Sequence, residues 1–231
     1  SGTVLDTNRI LVSAEANYQI DPVVAFNGTS FFVAWKDARN STVASVPREV
    51  WGARVTTSGS VLDTAGNLIS LDRGYSNLDM ASDGNGYLLV WDRNCATCDV
   101  SIQGNSVEAV RVASNGRPLD ATPITLASDN ASTHDYARPR VAFGAGNYVA
   151  TWGYHATDWV LRASRVSPAG TLTDPAPGKT ISSLSGADQT NPDVAWNGSS
   201  FIFAWQDDRA TEGDTDIYSL HLDQTLAGGG P

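Results

Sequence analysis

Short apolar runs alternate along this chain with clusters of Gly, Asn, Asp and Ser, a rhythm that predicts β-strands joined by tight turns. One apolar run ending in tryptophan occurs four times, closing at Trp35, Trp91, Trp152 and Trp205. Before each lies a second run that ends in a turn signal. Val24-Ala25-Phe26-Asn27-Gly28 and Val194-Ala195-Trp196-Asn197-Gly198 carry Asn-Gly, Met80-Ala81-Ser82-Asp83-Gly84 carries Asp-Gly, and Val141-Ala142-Phe143-Gly144 relies on Gly144 and Gly146. These pairs accept the positive φ angles of a short hairpin turn, so each tryptophan strand pairs with the strand before it.

A third strand closes on Arg54-Val55, Arg111-Val112, Arg165-Val166 and His221-Leu222. A turn running from Gly to Asp follows in three copies: Gly59 to Asp63, Gly116 to Asp120 and Gly170 to Asp174. It leads into fourth strands at Asn67–Ser70, Pro123–Leu126 and Lys179–Ser182. The fourth copy of this segment stands at the other end of the chain. Ser1-Gly2-Thr3-Val4-Leu5-Asp6 repeats Ser58-Gly59-Ser60-Val61-Leu62-Asp63 with one change, and Arg9 to Ser13 follows as the strand.

Four-stranded units arranged around a channel are the blades of a β-propeller. The expected fold is therefore all-β, a four-bladed β-propeller closed by an N-terminal strand that completes the C-terminal blade. Residues 1–20 supply that closing strand, 21–75 blade 1, 76–135 blade 2, 136–188 blade 3 and 189–231 the remainder of blade 4. Ile10 to Val12 is expected to pair with the strand of Asp216 to Leu222, the runner-up geometry being two chains that exchange this strand.

The block Pro192-Asp193-Val194-Ala195-Trp196-Asn197-Gly198, with Phe201 to Arg209 and Asp216-Ile217-Tyr218, resembles repeats of exported bacterial β-propeller proteins of mostly unassigned function. The blade count resembles hemopexin-type propellers, whose channel often holds ions. The cysteine pair that typically joins first and last blades there has no counterpart in this chain. The resemblance implies a fold and an exported location (secreted, periplasmic or cell-surface), and no particular activity.

A net charge of −10 and a pI near 4.5 argue against nucleic acid and anionic lipid as partners. No apolar run approaches membrane-spanning length. Cys95 and Cys98 enclose a short loop, and the single Cys-x-x-Cys lacks a second pair for zinc. An oxidising compartment would join the two as a local disulfide.

Recurrence separates structure from function, because a residue present in every blade solves a problem common to blades. The four tryptophans are thus packing. Asp37, Asp92 and Asp207, which follow three of them, are expected to pair with blade arginines such as Arg54 or Arg111, or to cap a turn. Blade 3 departs from this pattern. Tyr154, His155, Asp158 and Trp159 bring π-faces and hydrogen-bonding groups to one loop and form the candidate ligand site. The innermost strands begin at Asp21, Asn77-Leu78-Asp79, Arg138-Pro139-Arg140 and Asn191-Pro192-Asp193. Oxygens of Asp21, Asn77, Asp79, Asn191 and Asp193 converging on a narrow channel would suit Ca²⁺, whereas Arg138 and Arg140 would themselves supply positive charge. No nucleophile elbow, zinc-binding helix motif or phosphate loop occurs.

The reading these features favour is a monomeric, non-enzymatic module that binds a glycan or protein surface. The alternatives are a glycan hydrolase or lyase using loop carboxylates, and a structural spacer or assembly domain.

Overall fold

The computed structural model describes residues 5–6, 8–41, 49–71, 75–93, 105–129, 135–211 and 214–228. Among the described residues, fifteen antiparallel strands form four sheets. Blade 1 comprises β1 (Gln19–Phe26), β2 (Ser30–Asp37), β3 (Glu49–Thr56) and β4 (Asn67–Ser70). Blade 2 comprises β5 (Tyr75–Ser82), β6 (Gly86–Arg93), β7 (Asn105–Ala113) and β8 (Ile124–Asp129). Blade 3 follows with β9 (Asp135–Gly144), β10 (Asn147–His155), β11 (Trp159–Val166) and β12 (Lys179–Ser182). Blade 4 contains β13 (Gln189–Trp196), β14 (Phe201–Thr211) and β15 (Asp214–Leu222).

Alternation along the second strand of each blade decides how blades stack. In β2, Phe32 and Ala34 point toward blade 2 and meet Tyr87, Leu89 and Trp91. In β6, Leu88 and Val90 point onward to Tyr148, Ala150 and Trp152. Val149 then meets Phe201, Phe203 and Trp205. Trp91, Trp152 and Trp205 are therefore wall residues of the inter-blade cores, as their recurrence implies, while Trp35 is buried outside those three cores.

The third-strand arginines have partners other than those expected. Arg54 clasps Asp63 through Nε at 2.8 Å and Nη2 at 2.9 Å, while its backbone N–H also reaches that carboxylate at 2.9 Å. Arg111 and Asp120, and Arg165 and Asp174, repeat the arrangement. The aspartate of the Gly-to-Asp turn is thus one half of a blade latch. Arg111 and Arg165 also reach forward to carbonyls of the next blade, at Pro168 and Gln224.

Closure of the ring departs from expectation. Blade 4 is three-stranded, and residues 9–15 form no strand against β15. The N-terminal segment lies instead at the outer corner of blade 1. A side chain added at Gly59 would run into Ile10 and Asp6, just as one at Gly116 would meet Asn67 and Asp63 of the preceding blade. The segment expected to complete blade 4 does not join it in this structure. Cys95, Cys98 and their proposed disulfide fall outside the described residues.

Candidate functional site

Every innermost strand carries the same irregularity. Two residues oppose one tryptophan, so the register shifts between Ile20 and Val23, between Ser76 and Asp79, opposite Thr151 and Gly153, and between Thr190 and Asp193. The first residue of each bulge has positive φ: 53° at Asp21, 27° at Asn77, 53° at Arg138 and 53° at Asn191. Asp and Asn tolerate this left-handed conformation, whereas Arg does so less readily. Proline at positions 22, 139 and 192 suits the unpaired second place, since it has no N–H to donate. Such bulges re-aim side chains, and here they bring the first bulge residue alongside the residue that follows the tryptophan.

The result is one polar pair per blade. Asp21 is bound by the Lys36 ammonium at 2.5 Å. Asn77 donates its amide to Asp92 at 3.2 and 3.1 Å. Asn191 donates to Gln206. In blade 3 the corresponding positions hold Arg138 and Gly153, and with no side chain opposite it the Arg138 guanidinium reaches across to Asn191. The missing side chain leaves a cavity of about 380 Å³, lined by Asp135, Ala137, Arg138, Gly153, Trp159, Thr190 and Asn191. Another opening, at Asp21, Lys36, Asn77 and Arg140, lies between blades 1, 2 and 3.

Asp92 is a strongly perturbed carboxyl. Burial pushes it up to about 6, against hydrogen bonds from Asn77 and the Arg138 backbone and the attraction of Lys36. Asp79 is also raised by burial; it accepts the Val141 N–H at 2.9 Å and feels Arg140 and Asp193. Lys36, which holds Asp21, thus also acts electrostatically on the buried Asp92.

Asp37 and Asp207 differ from Asp92. They stand two residues after their tryptophans, accept the indole N–H at 2.8 and 2.9 Å, and bind Arg39 and Arg209. Their role is structural, with local arginines as partners. Asp92 stands one residue after Trp91, so strand alternation sends it to the opposite side. Glu108 receives the Trp91 indole in its place, at 3.3 Å. Grouping the three aspartates by recurrence therefore concealed Asp92, although its offset from tryptophan was the available signal.

Of the blade 3 candidates, Trp159 lines the cavity and its ring packs over Gly153. His155 backs that ring at 5.1 Å between centroids. Asp158 receives the Gly186 N–H and the Trp159 backbone donates to Asp188, so the loop is tied to the lead into blade 4. Tyr154 packs instead on Tyr136 and Arg162, away from the cavity. The residues named for an axial cation are engaged separately: Asp21 by Lys36, Asn77 by Asp92, Asp79 by Val141, Asn191 by Gln206 and Arg138, and Asp193 by the Val194 N–H. Among the described residues no three His, Cys, Asp or Glu side chains gather as a metal site.

No protein family and no curated protein matches the sequence. Solved structures do match. A thermostable family-43 glycoside hydrolase aligns with a TM-score of 0.52 at 12% identity, over 88% of this chain and 71% of that one. The Bombyx mori GH32 β-fructofuranosidase gives 0.52 at 11% identity, over 93% and 48%. A subtype N11 neuraminidase-like protein of influenza A from a flat-faced bat in Peru gives 0.56 at 12%, over 94% and 53%. The likeness is one of fold. The chain spans about half the length of the last two. Glycoside hydrolases stand among the matched structures, and this goes against the expectation of a non-enzymatic module.

Proposed function

We propose that this propeller hydrolyses glycosidic bonds at the bulged end of its axis. The observation that carries the proposal is Asp92, a buried carboxyl whose pKa is raised to about 6 beside Lys36, which holds a second carboxylate, Asp21. Glycoside hydrolysis by the usual route needs one carboxylic acid that keeps its proton near neutrality and one carboxylate. Asp92 is the acid: its proton passes to the glycosidic oxygen as the bond to the anomeric carbon breaks. Asp21 is the base: it takes a proton from the water whose oxygen bonds to that carbon. The glycoside-hydrolase folds this chain shares support the reading.

The cavity beneath blade 3 supplies the sugar subsite. Trp159 offers an apolar face to a pyranose or furanose ring, and Arg138, Thr190, Asn191 and Asp135 supply hydrogen-bonding groups around it. The test is release of reducing sugar from arabinan, sucrose and aryl glycosides by the intact chain and by Asp92→Asn. Loss of the acid should lower the rate about 10²–10⁴-fold. A chain inert on every substrate, or an Asp92→Asn variant as active as the parent, would defeat the proposal.

A further inference from the structure

The three interfaces inside the chain are built from equivalent pairs. Val50 shares a core with Met80, Val107 with Val141, and Leu161 with Val194. A second pair repeats beside each: Phe32 with Tyr87, Leu88 with Tyr148, Val149 with Phe201. All twelve side chains are buried. By the same positions, the fourth interface would join Ile217 to Val24 and Ile202 to Phe31. It is not made: Ile217 is 72% exposed, Val24 61% and Phe31 38%. The innermost strands β1, β5, β9 and β13 pack in succession, and no comparable packing returns β13 to β1.

Each wall of this seam lacks what the other carries. Among the described residues blade 4 has three strands, and no described strand pairs with the outer edge of β15. Blade 1 has, at its outer corner, residues 9–13 in the place of a fourth strand that belongs to no sheet. The pairings of Val50 with Ser70 and Trp51 with Leu68 in blade 1 translate to Ile217 with Ser13 and Tyr218 with Leu11.

We propose that the seam is an interface between two copies of this chain, in which blade 4 of one copy seats on blade 1 of the other and takes that copy's residues 9–13 as its fourth strand. The surface that fits blade 1 is the face already used three times within the chain, and blade 4 presents it. The contact is head-to-tail, the type that forms a closed ring or an open series. Two four-bladed chains joined at both seams make eight blades, within the range of known propellers.

The test is the mass of the intact chain in solution over a range of concentrations, with Val24→Asp and Ile217→Asp as variants. Both side chains are exposed in the single copy, so each variant should keep the parent's β-sheet circular dichroism and fold as a monomer. The parent should be a dimer. Mixing the two variants should restore a dimer, because in a head-to-tail pair one seam then joins an unaltered Val24 to an unaltered Ile217. A parent that stays monomeric at all concentrations overturns the proposal, and protection of β15 amides from hydrogen exchange in that monomer would show closure within one chain. Variants that stay monomeric when mixed also overturn the head-to-tail contact.

Discussion

Asn77 grips both carboxylate oxygens of Asp92 from the first residue of a bulge, at 3.2 and 3.1 Å. This contact satisfies the carboxyl without supplying a positive charge, so burial still dominates its titration. Asp92 titrates near 3.8 when exposed and at about 6 in the fold. Between those values the folded protein keeps a proton that the unfolded chain has released. Its contribution is most favourable at and below about pH 4 and is lost as pH rises through 6. The charged, buried group then costs roughly 3 kcal/mol. Asp92→Asn should raise the melting temperature at pH 8, where that penalty is removed, and leave it nearly unchanged at pH 4. Thermal unfolding of both proteins at the two pH values measures this.

The latch of Arg165 and Asp174 has the opposite sign. Burial pushes Asp174 up, but the side-chain and backbone hydrogen bonds of Arg165 outweigh it and hold the carboxyl below its usual range. Its stabilisation is complete above the ordinary carboxylate pKa and is lost as pH falls through the lowered value. Asp174→Asn should therefore cost about 1–3 kcal/mol at pH 7. Urea titrations at pH 7 and pH 2.5 should show the difference shrinking in acid.

Trp159 forms a wall of the blade 3 cavity and is only partly covered. Trp159→Ala should weaken binding of an oligosaccharide substrate by at least ~2 kcal/mol, as for a central aromatic anchor. Its effect on the unfolding midpoint should be smaller, because the ring is only half-buried. Calorimetric titration beside a urea melt separates the two. A variant that binds normally and unfolds early would make Trp159 a packing residue.

Gly153 leaves the space in which that cavity lies. A methyl group there would come within 3.2 Å of the Trp159 ring, so the ring must shift. Gly153→Ala should cost at the low end of the ~1–3 kcal/mol typical of overpacking, since a half-buried ring can yield. The near-ultraviolet circular dichroism of the tryptophans should change, and sugar affinity should fall.

The blades were legible because their signals are local. Asn27 accepts the Thr29 and Ser30 N–H groups in its turn, Asn197 does the same for Ser199 and Ser200, and the four tryptophans mark the second strands. Trp159 was legible because blade 3 breaks the pattern around it. Asp92 was hidden because its identity as an aspartate matched Asp37 and Asp207, while its single-residue offset placed it on another face. The partners of Arg54 and Arg111 were missed for a related reason. Asp63 and Asp120 had been read as turn residues, and a turn residue nine positions on can still fold back onto the strand. Closure was not readable at all. The match of residues 1–6 to 58–63 identifies a missing part of a blade, but the pitch between blades, which decides whether the ends meet, is a property of packing.

The axial pairs, 21 with 36, 77 with 92, 138 with 153 and 191 with 206, use positions that the blade cores do not need. Packing and latches fix the scaffold, and the bulge repeats the same backbone in each blade whatever residue it carries. The rim therefore behaves as a row of four two-letter words written on a constant page. Exchanging the words between blades would rotate the cavity and the proton-holding carboxyl around the axis. Replacing one word would change what the rim recognises while the sheets beneath it stay as they are.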